Sequence, residues 1–165
     1  MRLKTKEIVF TAVFIAVVMV TTTFTSIPIT GKGYLNAGDV VVMGLATITP
    51  LPIAMVVGGI GSALADAAVP GAQIYILGTL VIKMIEAATA HLLYRHLPKP
   101  FNQFVPFILG ATLMVILYGF YEYILTGNLN SILYTMVLNI PQGLFGAALA
   151  IVLTPILQKI KRYVI

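Results

Sequence analysis

Residues 33–39 read GYLNAGD and lie between two strongly apolar segments. The two glycines of this stretch allow a positive φ or a close approach of the backbone to another group. Asp39 comes where the apolar run of residues 40–48 begins, which places a carboxylate in the first turn of a helix. Two interpretations fit the stretch. It is either a turn followed by a helix cap, or a loop that folds over a small ligand and presents Tyr34, Asn36 and Asp39 to it.

The composition of the whole chain indicates a membrane protein. Of its 165 residues, 9% are charged and 59% are hydrophobic, whereas a soluble domain carries about 25% charged residues. Such a chain cannot cover a water-facing surface, and its length allows roughly five to seven spans of about 20 residues. Because the sequence has no cysteine, disulfides, thiolate catalysis and cysteine-based metal sites are excluded.

The apolar runs predict an all-α integral membrane protein that forms one domain over residues 1–165. Turn-forming residues such as Pro50, Pro70 and Gly127 separate the runs. The first run follows basic residues like a signal peptide, but it is too long and lacks a small-residue cleavage site, so we expect it to be retained. The six predicted transmembrane helices cover residues 6–26, 37–49, 51–68, 73–96, 104–126 and 131–160.

The basic residues predict the orientation. With six spans, eight of the ten basic residues fall at or beyond the span ends on one side, only Lys32 falls on the other side, and Lys83 lies within the membrane. The positive-inside rule then makes both termini cytoplasmic. The net charge of +5 is explained by topology and calls for no nucleic-acid partner. The basic residues on the cytoplasmic side are Arg2, Lys4, Lys6, Arg95, Lys99, Lys159, Lys161 and Arg162.

Polar residues inside the spans indicate a binding pocket. Lys83 and Glu86 lie deep in the fourth span, where burying either costs a few kcal/mol or more. They are three apart and either pair with each other or face a water-filled cavity. The topology brings the polar residues to one outward-opening pocket, and Asp66 lies near the same end. The candidate substrate-binding residues are Tyr34, Asn36, Asp39, Tyr75, Lys83, Glu86, Glu122, Asn139 and Gln142.

Small residues form two further patterns. Residues 58–61 read GGIG inside an apolar helix, and since no strand precedes them they predict close helix packing and not a phosphate-binding loop. Ala12 and Ala16, four apart in the first span, also permit a close helix approach. The latter stripe serves either internal packing or docking of a partner.

Four stretches together resemble the substrate-binding S components of energy-coupling factor (ECF) vitamin transporters, over essentially the whole chain. They are GYLNAGD, GGIGSALAD at residues 58–66, the pattern of residues 82–86, and NIPQG at residues 139–143. The resemblance implies a six-helix, multi-pass protein of the bacterial plasma membrane that captures a vitamin from outside with high affinity. It also implies a transmembrane coupling subunit and two cytoplasmic ATPases as partners. ATP would be used on those partners, so no cofactor, metal or catalytic residue is expected in this chain.

The resemblance also suggests a docking site and a ligand. Ala12 and Ala16 resemble the small-residue motif that contacts the coupling subunit, and the whole subunit would topple in the membrane during transport. GYLNAGD is most similar to members assigned to hydroxymethylpyrimidine or pyridoxine, and such small rings suit amide, carboxylate and tyrosine partners. Riboflavin, for which the chain lacks a stacking tryptophan, and a queuosine precursor remain alternative ligands.

Two other classes of function stay open at this point. An intramembrane enzyme would use Asp39, Asp66 and Glu86 as acid–base or metal-binding groups, although these acids are scattered one to a span. A self-sufficient carrier would need no ATPase partner. Bound metal would favour the enzyme, and uptake by the chain alone would favour the carrier.

Overall fold

The computed structural model describes residues 5–28 and 34–164, with side chains as far as residue 161. The predictions that involve Arg2, Lys4, Lys32, Gly33 and the Arg162 side chain therefore lie outside the described residues. Six α-helices make up most of the chain: α1 Thr5–Phe24, α2 Gly38–Ile48, α3 Leu51–Ala68, α4 Ile76–His96, α5 Val105–Thr126 and α6 Asn130–Val164. Two short antiparallel strands, β1 Ile27–Pro28 and β2 Tyr34–Leu35, lie between α1 and α2.

Five of these helices are long and apolar enough to cross a membrane; the exception is α2. With 11 residues, α2 is about 16 Å long at 1.5 Å per residue, against a hydrocarbon core of about 30 Å. The prediction of an all-helical membrane protein is thus supported by five candidate spans, with α2 as a shorter sixth helix.

The short helix α2 lies at the centre of the bundle. Ten of its eleven residues are buried, and it packs against α6 and α4 on two sides and against α1 and α3 on others. Met43 and Ile48 of α2 are fully buried in the hydrophobic core with Phe107 of α5. Because neighbouring helices surround α2, it can be shorter than the bilayer is thick.

The helices alternate in direction, which gives the bundle two distinct ends. The strand end is the one at which α1, α3 and α5 finish and α2, α4 and α6 begin, and it carries β1 and β2. The basic end is the opposite one, with Lys6, Arg95, Lys99, Lys159 and Lys161 at or just beyond its helix termini.

Glycines set the closeness of the helix contacts, as the GGIG stretch predicts. A Cβ at Gly61 of α3 would lie 2.7 Å from the Cβ of Val18 and 3.0 Å from the carbonyl oxygen of Ile15, both in α1. A Cβ at Gly59 would lie 2.8 Å from the carbonyl oxygen of Leu80 in α4. The two glycines therefore let α3 pack closely between α1 and α4, and the packing role of this stretch is confirmed.

Candidate functional site

A cavity of about 330 Å³ opens at the strand end. Residues of α1, α3, α4, α5 and α6, together with the segments before α2 and before α4, line it. Seven of the nine candidate substrate-binding residues are among them: Tyr34, Asn36, Tyr75, Lys83, Glu122, Asn139 and Gln142. The other lining residues are Thr22, Ser62, Asp66, Thr79, Tyr118, Thr126, Ser131, Tyr134, Thr135 and Leu138. Most of the candidate binding residues named from the sequence therefore line one cavity.

The remaining two candidates, Asp39 and Glu86, lie behind Lys83 and do not line the cavity. Both are fully buried. The Lys83 ammonium donates a hydrogen bond to Glu86 Oε2 at 2.8 Å and another to Asp39 Oδ1. We call these three residues the Lys83 cluster. Lys83 therefore forms the ion pair with Glu86 that the sequence suggests, and it also faces the cavity. Asp39 and Glu86 hold the Lys83 ammonium but do not line the cavity themselves.

Gln142 connects the Lys83 cluster to the segment before α2. Its side-chain Nε2 donates to Asp39 Oδ2 at 3.0 Å, and its Oε1 accepts from the Asn36 backbone N–H at 3.0 Å and from Asn36 Nδ2 at 3.2 Å. The Gln142 side-chain amide therefore contacts both Asp39, in the first turn of α2, and Asn36, two residues before α2 begins.

The turn into α2 depends on Asn36 and Gly38. The Gly38 backbone N–H donates to Asn36 Oδ1 at 2.8 Å, an Asx-type turn. A Cβ at Gly38 would overlap the Thr22 hydroxyl, so a larger residue there would force the Thr22 side chain to move. Asp39 lies in the first turn of α2, as predicted, but makes no capping hydrogen bond with its side chain. The stretch is thus both a turn and part of the cavity wall.

Two tyrosine–carboxylate pairs occupy the cavity wall. The Tyr34 hydroxyl donates to Asp66 Oδ1 at 2.6 Å, and the Tyr75 hydroxyl donates to Glu122 Oε2 at 2.8 Å. Burial, together with the charge of Asp66, raises the pKa of Tyr34 well above its ordinary value. Tyr34 therefore remains a neutral hydrogen-bond donor at physiological pH.

Polar and aromatic groups continue the wall towards the Lys83 cluster. The hydroxyls of Thr79 and Tyr118 are 2.9 Å apart and share a hydrogen bond. The Lys83 Nζ lies 5.8 Å from the centre of the Tyr118 ring, within reach of a cation–π interaction. Asn139 donates through Nδ2 to the Thr135 carbonyl one turn earlier in α6, at 2.9 Å, and both residues line the cavity.

Asp66 is the main residue that the sequence leaves unassigned. It is the last residue of GGIGSALAD and lies one turn after Ser62, which also lines the cavity. This i, i+4 spacing puts both polar side chains on one face of α3, which is the signal that indicates their shared role.

The docking candidates and the buried residue His91 of α4 do not line the cavity. Ala12 and Ala16 are exposed on α1, a helix that packs chiefly on α3. The ring Nδ1 of His91 is 2.9 Å from the carbonyl oxygen of Ala46. Within residues 5–28 and 34–161, no three His, Cys, Asp or Glu side chains come together as a possible metal site.

Apolar helices around a polar cavity at one end of the bundle are typical of a multi-pass membrane protein with a binding site for a small molecule. The family model described as "ECF-type riboflavin transporter, S component" matches residues 2–161, and the chain belongs to that family. It is therefore a substrate-binding component of an ECF transporter. This class works with ECF membrane and ATPase subunits, binds small vitamins and is not a class of enzymes.

A second similarity is to a protein of Pyrococcus woesei described as "Uncharacterized protein in gap 3'region". The two sequences are 36% identical over 111 residues, which cover 67% of this chain and 74% of the Pyrococcus protein. The match to the family model confirms the resemblance to S components at the level of the family. The assignment to hydroxymethylpyrimidine or pyridoxine is finer than the family match and stays a prediction.

Proposed function

We propose that the chain is the high-affinity capture subunit of an ATP-driven ECF importer, and that its substrate is a small pyrimidine or pyridine vitamin or precursor. One observation carries this proposal: side chains from five helices and from the segment before α2 surround a single polar cavity. Hydrocarbon disfavours such side chains, and a ligand that hydrogen-bonds to them gives a reason to keep them.

The chemistry of the cavity favours a small ring with hydrogen-bonding substituents. Its volume of about 330 Å³ is at the lower end of the roughly 300–1,000 Å³ usual for ligand pockets. Tyr118 and Tyr134 offer aromatic faces, and Asn139, Asp66 and Glu122 offer polar groups around them. Tyr34 and Tyr75 are the further ring contacts that we propose.

The charges of the site disfavour an anionic substrate. The Lys83 ammonium already has two carboxylate partners, Asp39 and Glu86. Asp66 and Glu122 then leave the cavity wall acidic, and carboxylates repel an anion at short range. A neutral or weakly basic ring is the better match.

Riboflavin is the second candidate because the description of the matching family names it. Its isoalloxazine ring would stack on tyrosine here, since the chain has eight tyrosines and no tryptophan. A queuosine precursor is a third ligand of the same general kind. In each case the protein would have the same role as a capture subunit.

The proposed membrane arrangement has six spans, with the strand end outside and the basic end in the cytoplasm. Both termini would then be cytoplasmic, and the cavity would take its ligand from outside. Ala12 and Ala16 would contact the transmembrane coupling subunit, with α1 as the sliding surface when the subunit topples. ATP would be hydrolysed by two cytoplasmic partner subunits, and this chain would need no cofactor.

The proposal is tested by binding and by uptake. The purified protein in detergent is titrated calorimetrically with hydroxymethylpyrimidine, pyridoxine and riboflavin, and we expect submicromolar binding of a pyrimidine or pyridine. Uptake of the bound compound into liposomes should require the coupling and ATPase subunits. Binding of none of the three compounds would refute the proposed role of the cavity, and uptake by the chain alone would show a self-sufficient carrier.

A further inference from the structure

Two buried polar atoms in the cavity wall have no hydrogen-bond partner within the part of the chain that the structure describes. They are Oδ2 of Asp66 and Oγ1 of Thr22. Asp66 is 4% exposed and Thr22 is 3% exposed, and both line the cavity. Leaving such groups unpaired costs about 1–3 kcal/mol each, so buried polar atoms of this kind usually have a partner. Their position in the cavity wall points to a bound ligand as that partner.

We infer that Asp66 and Thr22 form a subsite for the nitrogen-bearing edge of the ligand, a protonated ring nitrogen beside an exocyclic amine, as in a 4-aminopyrimidine. This inference rests on the proposed function and selects aminopyrimidines among its candidate ligands. It assigns the amine and the ring N–H to the side of the cavity formed by α1 and α3.

Helix packing puts the two residues at one level. α1 and α3 both run towards the strand end, and Val18 of α1 contacts Gly61 of α3. One turn further along each helix come Thr22 and Ala65, and Asp66 follows directly. The carboxylate and the hydroxyl thus lie on adjacent helices at similar heights, and both residues line the same cavity.

The geometry of Asp66 leaves room for two donors. Its Oδ1 accepts a hydrogen bond from the Tyr34 hydroxyl, the Thr79 hydroxyl also lies near the carboxylate, and Oδ2 has no hydrogen-bond partner among the described residues; a carboxylate oxygen can accept two hydrogen bonds. A ring N–H and an adjacent amine present two parallel donors, which match the two oxygens of one carboxylate. The Thr22 hydroxyl can accept the second hydrogen of the amine.

The charge of Asp66 is the reason to choose a cation over a neutral ring. The nearest described ammonium in the cavity wall, Lys83, already has two carboxylate partners. Tyr34 supplies a hydrogen bond to Asp66 but no charge. A buried carboxylate is most stable beside a positive group that also donates hydrogen bonds, and a protonated aminopyrimidine supplies both.

The test compares two ligands that differ at one substituent. Wild-type protein is titrated calorimetrically with 4-amino-5-hydroxymethyl-2-methylpyrimidine and with the analogue that has a 4-hydroxyl in place of the amine. We expect the amine to bind roughly 10- to 100-fold more tightly, which is the range of a charge-assisted hydrogen bond. This comparison uses only the wild-type protein and does not depend on how any variant folds.

Variants then locate the effect. Asp66→Asn retains an oxygen for Tyr34 but removes the charge, and we expect it to lose roughly 10- to 100-fold in affinity for the amine and most of the discrimination. Thr22→Val should lose roughly 3- to 10-fold, as for one neutral hydrogen bond. The matched controls are Glu7→Gln and Thr89→Val, both outside the cavity, which should bind as the wild type does.

Three results would overturn the subsite while leaving the capture role intact. They are equal binding of the two pyrimidines, binding of riboflavin or pyridoxine with no aminopyrimidine binding, and an Asp66→Asn protein that binds and discriminates as the wild type does. By contrast, absence of binding for every vitamin tested would overturn the proposed function itself, and the subsite with it.

Discussion

Gln142 Nε2 donates a hydrogen bond to Asp39 Oδ2 at 3.0 Å and so joins α6 to the first turn of α2 across 103 positions of sequence. The same side chain accepts two hydrogen bonds from Asn36. The cavity wall, the buried charges and the segment before α2 are therefore connected through one amide. Each is expected to respond when that amide is removed.

Replacing Gln142 by alanine is expected to weaken both ligand binding and the fold. The change leaves Asp39 Oδ2 and the Asn36 donors without their partner, at a cost of about 1–3 kcal/mol. We expect about a tenfold or greater loss of affinity and a lower melting temperature, measured by calorimetric titration and thermal unfolding in detergent. Gln158→Ala is the matched control, because Gln158 also bonds α6 to α2, through the Thr47 carbonyl at 3.2 Å, but outside the cavity. Equal affinity losses in both variants would contradict a specific role for Gln142.

Removing the Lys83 ammonium is expected to destabilise the protein strongly. Lys83→Met leaves Asp39 and Glu86 as two buried carboxylates without a counter-charge, and breaking a buried ion pair in this way costs about 3–5 kcal/mol. A large fall in melting temperature should follow, whereas Lys159→Met at the basic end should cause little change.

Neutralising the carboxylates should recover part of that stability. The triple variant Asp39→Asn, Lys83→Met, Glu86→Gln has no buried charge left in the Lys83 cluster, so it should melt above Lys83→Met. If the triple variant melts no higher than the single one, unpaired charge is not the cause of the destabilisation.

Adding a methyl group at Gly61 should separate α1 from α3. The new Cβ would lie 2.7 Å from the Val18 Cβ and 3.0 Å from a backbone carbonyl, and overpacking of this kind costs about 1–3 kcal/mol. Gly110→Ala is the control, since its Cβ would meet neighbours only at 3.5 Å and beyond. Thermal unfolding should show a loss of stability for Gly61→Ala alone; comparable stability of the two variants would argue against the close contact.

Asn139→Ala is expected to abolish high-affinity capture while leaving a folded protein. Asn139 lines the cavity, and among the described residues its side chain donates a hydrogen bond only to a carbonyl of its own helix, so little of the fold depends on it. Calorimetric titration should show the loss of binding, and size-exclusion chromatography should show an unchanged elution volume. Asn130→Ala, at an exposed position outside the cavity, should retain full affinity. Unchanged binding by the Asn139 variant would remove this residue from the site.

Enlarging the small residues of α1 should separate capture from transport. In the double variant Ala12→Leu, Ala16→Leu, both substitutions are at exposed positions of α1 that do not line the cavity. We expect normal ligand binding but loss of ATP-dependent uptake with the partner subunits. Val152→Leu, an exposed position on α6, is the control. Normal uptake by the double variant would exclude this face as the docking surface.

The helices could be predicted well from the sequence because their ends carry strong local signals. Pro50 precedes the start of α3, and Gly127 ends α5 with a φ of 67°, a conformation that favours glycine. The central burial of α2 could not be predicted in the same way. Lipid and the protein interior both favour apolar side chains, so the apolar run of residues 40–48 does not distinguish a helix that faces lipid from one that is buried in protein.

The sequence predicts most of the polar residues that come together at the cavity, but it does not predict which of them line the cavity and which lie behind Lys83. Polar residues deep in a span, such as Lys83 and Gln142, mark a cavity because hydrocarbon excludes them. Whether Asp39 faces the ligand or lies behind Lys83 depends on how three helices pack, and spacing along one chain does not contain that information. The pairing of Tyr34 with Asp66, 32 positions apart, is a tertiary contact of the same kind.

The central position of α2 has a consequence for how the bilayer acts on this protein. Because protein surrounds α2 on nearly all sides, changes in lipid thickness press on the outer helices, above all on the sparsely buried α1 and on the 35-residue α6. Their tilt adjusts to the lipid, while the innermost helix retains its length. We therefore expect membrane composition to affect the cavity through α1, which contributes Thr22 to the wall, and through the lining residues of α6, which include Gln142.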